Sequence, residues 1–112
     1  EGTYSVSIDG VAVAKFSAKE LAEGVNLGNL TSGPVFDQAN KVLAAINDKN
    51  RIVHGRFRGI LLGGDQYWNT AAGQKRKPEE LARRMEDINA AQAAIYKLAT
   101  PAARKFEVKL AP

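Results

Sequence analysis

Acyl transfer by a side-chain nucleophile needs a Ser, Thr or Cys within reach of a base, with a carboxylate behind that base to orient it. The chain offers one imidazole, His54, and no cysteine. His54 stands between Val53 and Gly55 with no serine near it. A lone histidine outside any motif reads as a structural or surface residue. The same inventory leaves only carboxylates for a metal, and neither an EF-hand loop nor an HExxH helix occurs. The paired acids Glu79-Glu80 and Glu86-Asp87 fall at positions that helix-surface solvation explains. Gly63-Gly64 has neither the spacing nor the Lys-Ser/Thr of a phosphate-binding loop. No catalytic residue, metal site or cofactor is therefore expected.

One stretch does carry binding chemistry. Gly63 to Lys77 reads as a long loop, and loops of that length are often functional. It contains the single tryptophan of the chain. Tyr67 and Trp68 supply flat rings, and Asp65, Gln66 and Asn69 flank them with hydrogen-bonding groups. That mixture suits a sugar or a protein partner. Two readings of Trp68 stand open: a plug folded back to close the loop, the commoner fate of a tryptophan, or a stacking surface.

Composition sets the frame for these residues. The chain has 112 residues, 45% of them hydrophobic and 25% charged, which suits one domain with one core. The net charge of +4 favours acidic partners weakly. Lys75-Arg76-Lys77, with Arg83 and Arg84 after it, is the one local cluster, and it reads as a solvated loop and helix start rather than an anion site. Basic and aromatic residues do not interleave on any expected strand, so nucleic acid is not an expected partner. No apolar run reaches the length of a membrane span. The chain opens on Glu1 and reaches strand-like sequence by Thr3, which reads as a processed or trimmed start from which localisation is not legible.

Periodicity places the elements. Tyr4, Val6 and Ile8 alternate with Ser5 and Ser7, Asp9-Gly10 is a strong hairpin signal, and Val11 to Phe16 returns, so residues 3–16 read as a hairpin. Ala12 and Ala14 thin one face of its second strand for close packing. Ser17-Ala18-Lys19-Glu20 is a capping box opening a short helix, 17–23, that stops at Gly24. Phe36, Ala39, Val42, Leu43 and Ile46 mark a long helix over 35–54, with further helix favoured over 56–62. Pro78-Glu79-Glu80 reads as the start of a second long helix, 78–99, after the loop 63–77. Phe106, Val108 and Leu110 alternate with Lys105, Glu107 and Lys109 in a last strand, 104–110. The expected fold class is α+β: a small antiparallel sheet, the N-terminal hairpin plus the C-terminal strand, packed against two long antiparallel helices.

Tyr4-Ser5-Val6-Ser7-Ile8-Asp9-Gly10, then Phe16-Ser17-Ala18-Lys19-Glu20-Leu21-Ala22-Glu23-Gly24-Val25-Asn26-Leu27, then Pro34 and Gln38-Ala39, resemble the C-terminal region of bacterial GDSL-type (SGNH) hydrolases. Pro101 and Phe106-Glu107-Val108 fit its closing strand. That family carries a Gly-Asp-Ser nucleophile block, an oxyanion Gly and Asn, and an Asp-x-x-His block. None occurs here: Gly64-Asp65-Gln66 is not Gly-Asp-Ser, and His54 has no Asp three residues before it. The resemblance thus implies a non-catalytic accessory domain, bacterial and secreted or periplasmic. Its expected partners are a catalytic hydrolase domain or a polysaccharide, the latter bound through Asp65, Gln66, Tyr67, Trp68 and Asn69. The alternatives are a self-associating structural protein that uses the apolar faces of its long helices, or a segment of an esterase or deacetylase whose catalytic residues lie outside this chain. Gly24 to Leu30 reads as a structural turn or as an edge facing a catalytic domain. In the second case the turn is exposed and Asn26 makes only local hydrogen bonds.

Overall fold

A computed structural model describes residues 2–112. The hairpin forms as its turn chemistry demands. Strands β1 (Thr3–Ile8) and β2 (Val11–Ser17) are joined by Asp9 at φ 52° and Gly10 at φ 81°. Positive φ at both positions matches the twist of the flanking strands. Strand β3 (Phe106–Leu110) pairs antiparallel with the other side of β1, giving a sheet in the order β2-β1-β3. The α+β class and the three-stranded antiparallel sheet are as expected. Register puts Tyr4 opposite Leu110, Val6 opposite Val108 and Ile8 opposite Phe106. In antiparallel pairing opposite residues share a face, so the apolar residues of β1 and β3 lie on one side. Val6 and Ile8 in the central strand are 2% exposed.

The chain divides into two compact units: residues up to Asn40 together with Pro101–Pro112, and Lys41–Thr100. The first holds the sheet. Its ladder is bulged: Val6 faces Ala14 but Ser7 faces Ala12, which leaves Val13 as the extra residue of β2. Close approach falls on Val13 rather than on the flanking alanines. Gly33 sits against the Val13 side chain with φ 94°, and a Cβ there would overlap it. Glycine is thus demanded twice, by backbone angle and by space. Pro34 then opens helix α2 (Pro34–Arg51), with the Asp37 amide donating to the Gly33 carbonyl.

The capping box forms as read. Ser17 Oγ accepts from the Glu20 amide at 3.2 Å and Glu20 Oε2 accepts from the Ser17 amide at 2.7 Å, starting helix α1 (Ala18–Glu23). Asn26 Oδ1 accepts from the Gly28 amide and caps one 3₁₀ turn, Leu27–Asn29. The turn is largely exposed. Arg104 gathers the unit: Nη1 donates to Asp9 Oδ2 at 2.7 Å and Nη2 to Gln38 Oε1 at 3.0 Å. The Lys105 amide donates to Asp9 Oδ1. Arg104 and Lys105 therefore serve the hairpin turn, and the last strand starts at Phe106 instead of position 104.

In the second unit helix runs on without a break from α2 through a π-helical segment, Ile52–Phe57, into a short helix α3 (Arg58–Leu61). The π-helical segment, which contains Gly55, widens the helix locally, and neither Gly55 nor Gly59 interrupts it: the Arg58 amide donates five residues back to the Val53 carbonyl. The expected loop over 63–77 is much shorter. Helix α4 (Ala71–Ala99) begins seven residues before Pro78, which lies inside it. Thr70 provides the start, its Oγ1 accepting from the Gly73 amide at 3.1 Å. Pro78 removes one interior donor and crowds the Gln74 carbonyl, a cost that the 29-residue helix absorbs. The two helical stretches are antiparallel: Lys49 Nζ donates to Gln92 Oε1 at 2.8 Å, while Gly55–Ile60 shares a groove with Arg84. Ile60 and Ile95, each 6% exposed, are the buried centre of this unit.

Candidate functional site

Between α3 and α4 the backbone makes a tight 3₁₀ turn, Gln66–Asn69. Asp65 caps it, its Oδ1 accepting from the Tyr67 amide at 3.0 Å. Asn69 Nδ2 donates to the Gly63 carbonyl, and Gly63 takes φ 68°. Thr70 Oγ1 donates to the Tyr67 carbonyl at 2.7 Å and Gln74 Nε2 to the Trp68 carbonyl at 2.6 Å. The first turn of α4 thus lies directly on the aromatic turn. Gly73 permits that contact: it is buried, and a Cβ there would fall on the Tyr67 carbonyl oxygen. Ordinary turn and cap chemistry fixes the Trp68 backbone with little freedom.

An open groove of about 480 Å³ lies beside this turn. Trp68 and Asp65 line it together with Arg84 of α4 and Arg56 of the π-helical segment. Gly55, Gly59 and Gly64 expose backbone, with Ile60 as the apolar floor. Cβ atoms at Gly55 and Gly59 would meet nothing within 4 Å, so these glycines leave space rather than relieve a clash. Trp68 is half-buried. It is neither a fully enclosed plug nor a free ring, and it lines the groove.

Arg84 carries the clearest electrostatic feature. Its Nη1 pairs with Asp87 at 3.3 Å and its Nη2 with Glu80 at 3.7 Å, which fix the guanidinium plane. Its Nε is buried and has no partner among the described residues. A buried donor left unpaired costs ~1–3 kcal/mol. Two guanidiniums stand against Asp65, with Glu80 and Asp87 behind Arg84. The local charge is near balance, and the lining suits neutral hydroxyl groups better than a polyanion.

Of the five expected binding residues the structure brings Asp65 and Trp68 to this groove and leaves three outside its lining. Tyr67 stacks edge-on against Trp68, centroids 5.0 Å apart at 74°, and its hydroxyl meets Arg76. That phenol, with Glu80 beside it, raises the Arg76 pKa above its ordinary value. Asn69 is taken by Gly63, and Gln66 is exposed. Sequence reasoning missed Arg56, Arg84 and the glycines. Two signals were present: Gly55 and Gly59 at i,i+4, which bare one stripe of a helix, and Arg84 flanked at i−4 and i+3 by acids. His54 is also outside the lining; its Nδ1 faces Arg58 Nη1 at 3.2 Å, and since arginine only donates, Nδ1 is the acceptor.

A second cavity, of about 240 Å³, belongs to the first unit. Leu27, Leu30, Val35 and Phe36 line it with Ile8 and Phe106, and its walls carry no ionisable group. Ala39 also lines it, while its neighbour Gln38 serves Arg104. Among the described residues no three His, Asp or Glu side chains gather, and no helix is long and apolar enough to cross a membrane. The chain matches no protein-family model, no curated protein and no solved structure, so these comparisons do not tie it to the GDSL-type hydrolases.

Proposed function

We propose that this chain is a non-catalytic carbohydrate-binding domain, of the accessory kind implied by its resemblance to the C-terminal region of GDSL-type hydrolases. A neutral sugar ring lies against Trp68, one hydroxyl donates to Asp65, and another oxygen accepts from the guanidinium of Arg84. The observation that carries this reading is the meeting of Trp68, the acid Asp65 and two arginines, Arg56 and Arg84, in the lining of one open groove. Stacking supplies apolar contact area, and the two polar groups fix orientation. The groove lining holds one carboxylate, Asp65, and neither the histidine nor a second carboxylate of the pair that cleaves glycosides.

Affinity electrophoresis through gels containing soluble neutral polysaccharides tests this. At least one polysaccharide retards the wild-type chain, and Trp68→Ala weakens that retardation about tenfold or more, equivalent to about 1.4 kcal/mol. Tyr67→Phe, which keeps the ring and removes a hydroxyl outside the groove, migrates as wild type. Equal retardation of Trp68→Ala and wild type, or none by any polysaccharide, overturns the reading.

A further inference from the structure

Independently of the groove, the sheet has an open edge among the described residues. Strand β3 is an edge strand. Its apolar residues are exposed: Phe106 by 54%, Val108 by 55% and Leu110 by 67%. They share the face of Val6 and Ile8, and Phe106 continues it into the apolar cavity of this unit. The free backbone groups of β3 follow from the ladder. The Asp9 amide donates to the Lys105 carbonyl and the Ala111 amide to the Thr3 carbonyl. In an antiparallel ladder, alternate residues bond inward. Glu107 and Lys109 therefore turn their amides toward β1, and Phe106, Val108 and Leu110 turn theirs outward.

We propose that β3 pairs antiparallel with β3 of a second copy about a two-fold axis at Val108, joining two sheets into one of six strands. The charge pattern selects both occupant and register. Centred on Val108, the outward amides meet partners, Phe106 faces Leu110 of the second copy, and Glu107 faces Lys109 of the second copy, twice over by symmetry. Centring on Glu107 would set that carboxylate opposite itself, and centring on Lys109 would do the same to the ammonium. Like charges directly opposite are unfavourable and opposite charges favourable. Centring on Phe106 also sets Lys105 opposite Glu107, but it leaves Lys109 and Leu110 facing residues outside the strand, so Val108 is the centre at which all of β3 pairs with opposite charges facing. An isologous contact of this kind closes as a dimer. The opposite edge, β2, is bulged at Val13, and bulges discourage edge pairing.

Sedimentation velocity on charge-swapped chains tests this. The wild-type chain is a dimer whose fraction grows with concentration. Glu107→Lys alone, or Lys109→Glu alone, turns both cross-strand pairs repulsive and weakens self-association roughly tenfold or more. Mixing the two variants restores a dimer, because position 107 of each chain then faces an opposite charge at position 109 of the other. No rearrangement within one chain produces that rescue. Circular dichroism of each variant, matching wild type, shows that the sheet is intact. A monomeric wild type, single variants that dimerise as wild type does, or a mixture that stays monomeric overturns the proposal.

Discussion

Asp9 shows how one side chain serves two structures. It takes the positive φ of the hairpin turn and accepts from both Arg104 and the Lys105 amide that leads into β3. The Lys105 amide first, and Arg104 after it, hold its carboxyl below the usual aspartate range. A carboxyl depressed in the folded state binds fewer protons there than when unfolded, so its stabilisation is present above the ordinary aspartate range and is lost as pH falls through the lower folded value. Asp9→Asn is therefore less stable than wild type at neutral pH, and the gap narrows on acidification below that range. Urea unfolding across a pH series measures it; a gap that is constant with pH contradicts the assignment. Glu20 and Glu107 are depressed in the same direction, by Ser17 and by Lys105 with Lys109. Both remain in the variant, so the difference isolates Asp9.

The elements were legible wherever local chemistry decides them. Asp9-Gly10 and the Ser17 capping box appear where the residues place them, and β3 follows its alternation but starts two residues late because Arg104 and Lys105 serve the hairpin turn. The start of α4 was not legible. Ala71-Ala72-Gly73-Gln74-Lys75-Arg76-Lys77 has no apolar stripe, includes a glycine and runs into Pro78. Each signals loop when read locally. What decides it is tertiary: Thr70 caps the helix, and Gly73 lets its first turn rest on the Tyr67 carbonyl. The groove was half legible for the same reason, since Asp65 and Trp68 are near in sequence while Arg56 and Arg84 arrive from other helices. Gly73→Ala should displace the aromatic turn, lowering stability by about 1–3 kcal/mol as overpacking does and weakening sugar binding with it. Ser17→Ala, distant in sequence and in the other unit, should cost about 1 kcal/mol through its lost cap and leave binding unchanged. Thermal melts paired with affinity electrophoresis separate the two; equal binding losses would disconnect Gly73 from the site.

At the scale of the whole molecule, each unit has a small core, Val6 with Ile8 in one and Ile60 with Ile95 in the other. Hydrogen exchange should accordingly be slowest in β1, bonded on both sides, and around Ile95, and faster at the outward amides of β3 in chains held monomeric by Glu107→Lys. Uniform protection across the sheet of that variant would contradict the edge assignment. The two proposals also divide between the units: the sugar groove lies in Lys41–Thr100, and the pairing edge in the other. The central claim is that a sugar stacks on Trp68, and the chain has one tryptophan to report on it. Titrating the wild-type chain with oligosaccharides from a polysaccharide that retards it, while following intrinsic tryptophan fluorescence, tests that claim most directly. The account predicts a saturable change in Trp68 emission with the midpoint found by calorimetry, and a weaker midpoint for Arg84→Ala. Calorimetric binding with unchanged Trp68 emission would contradict it.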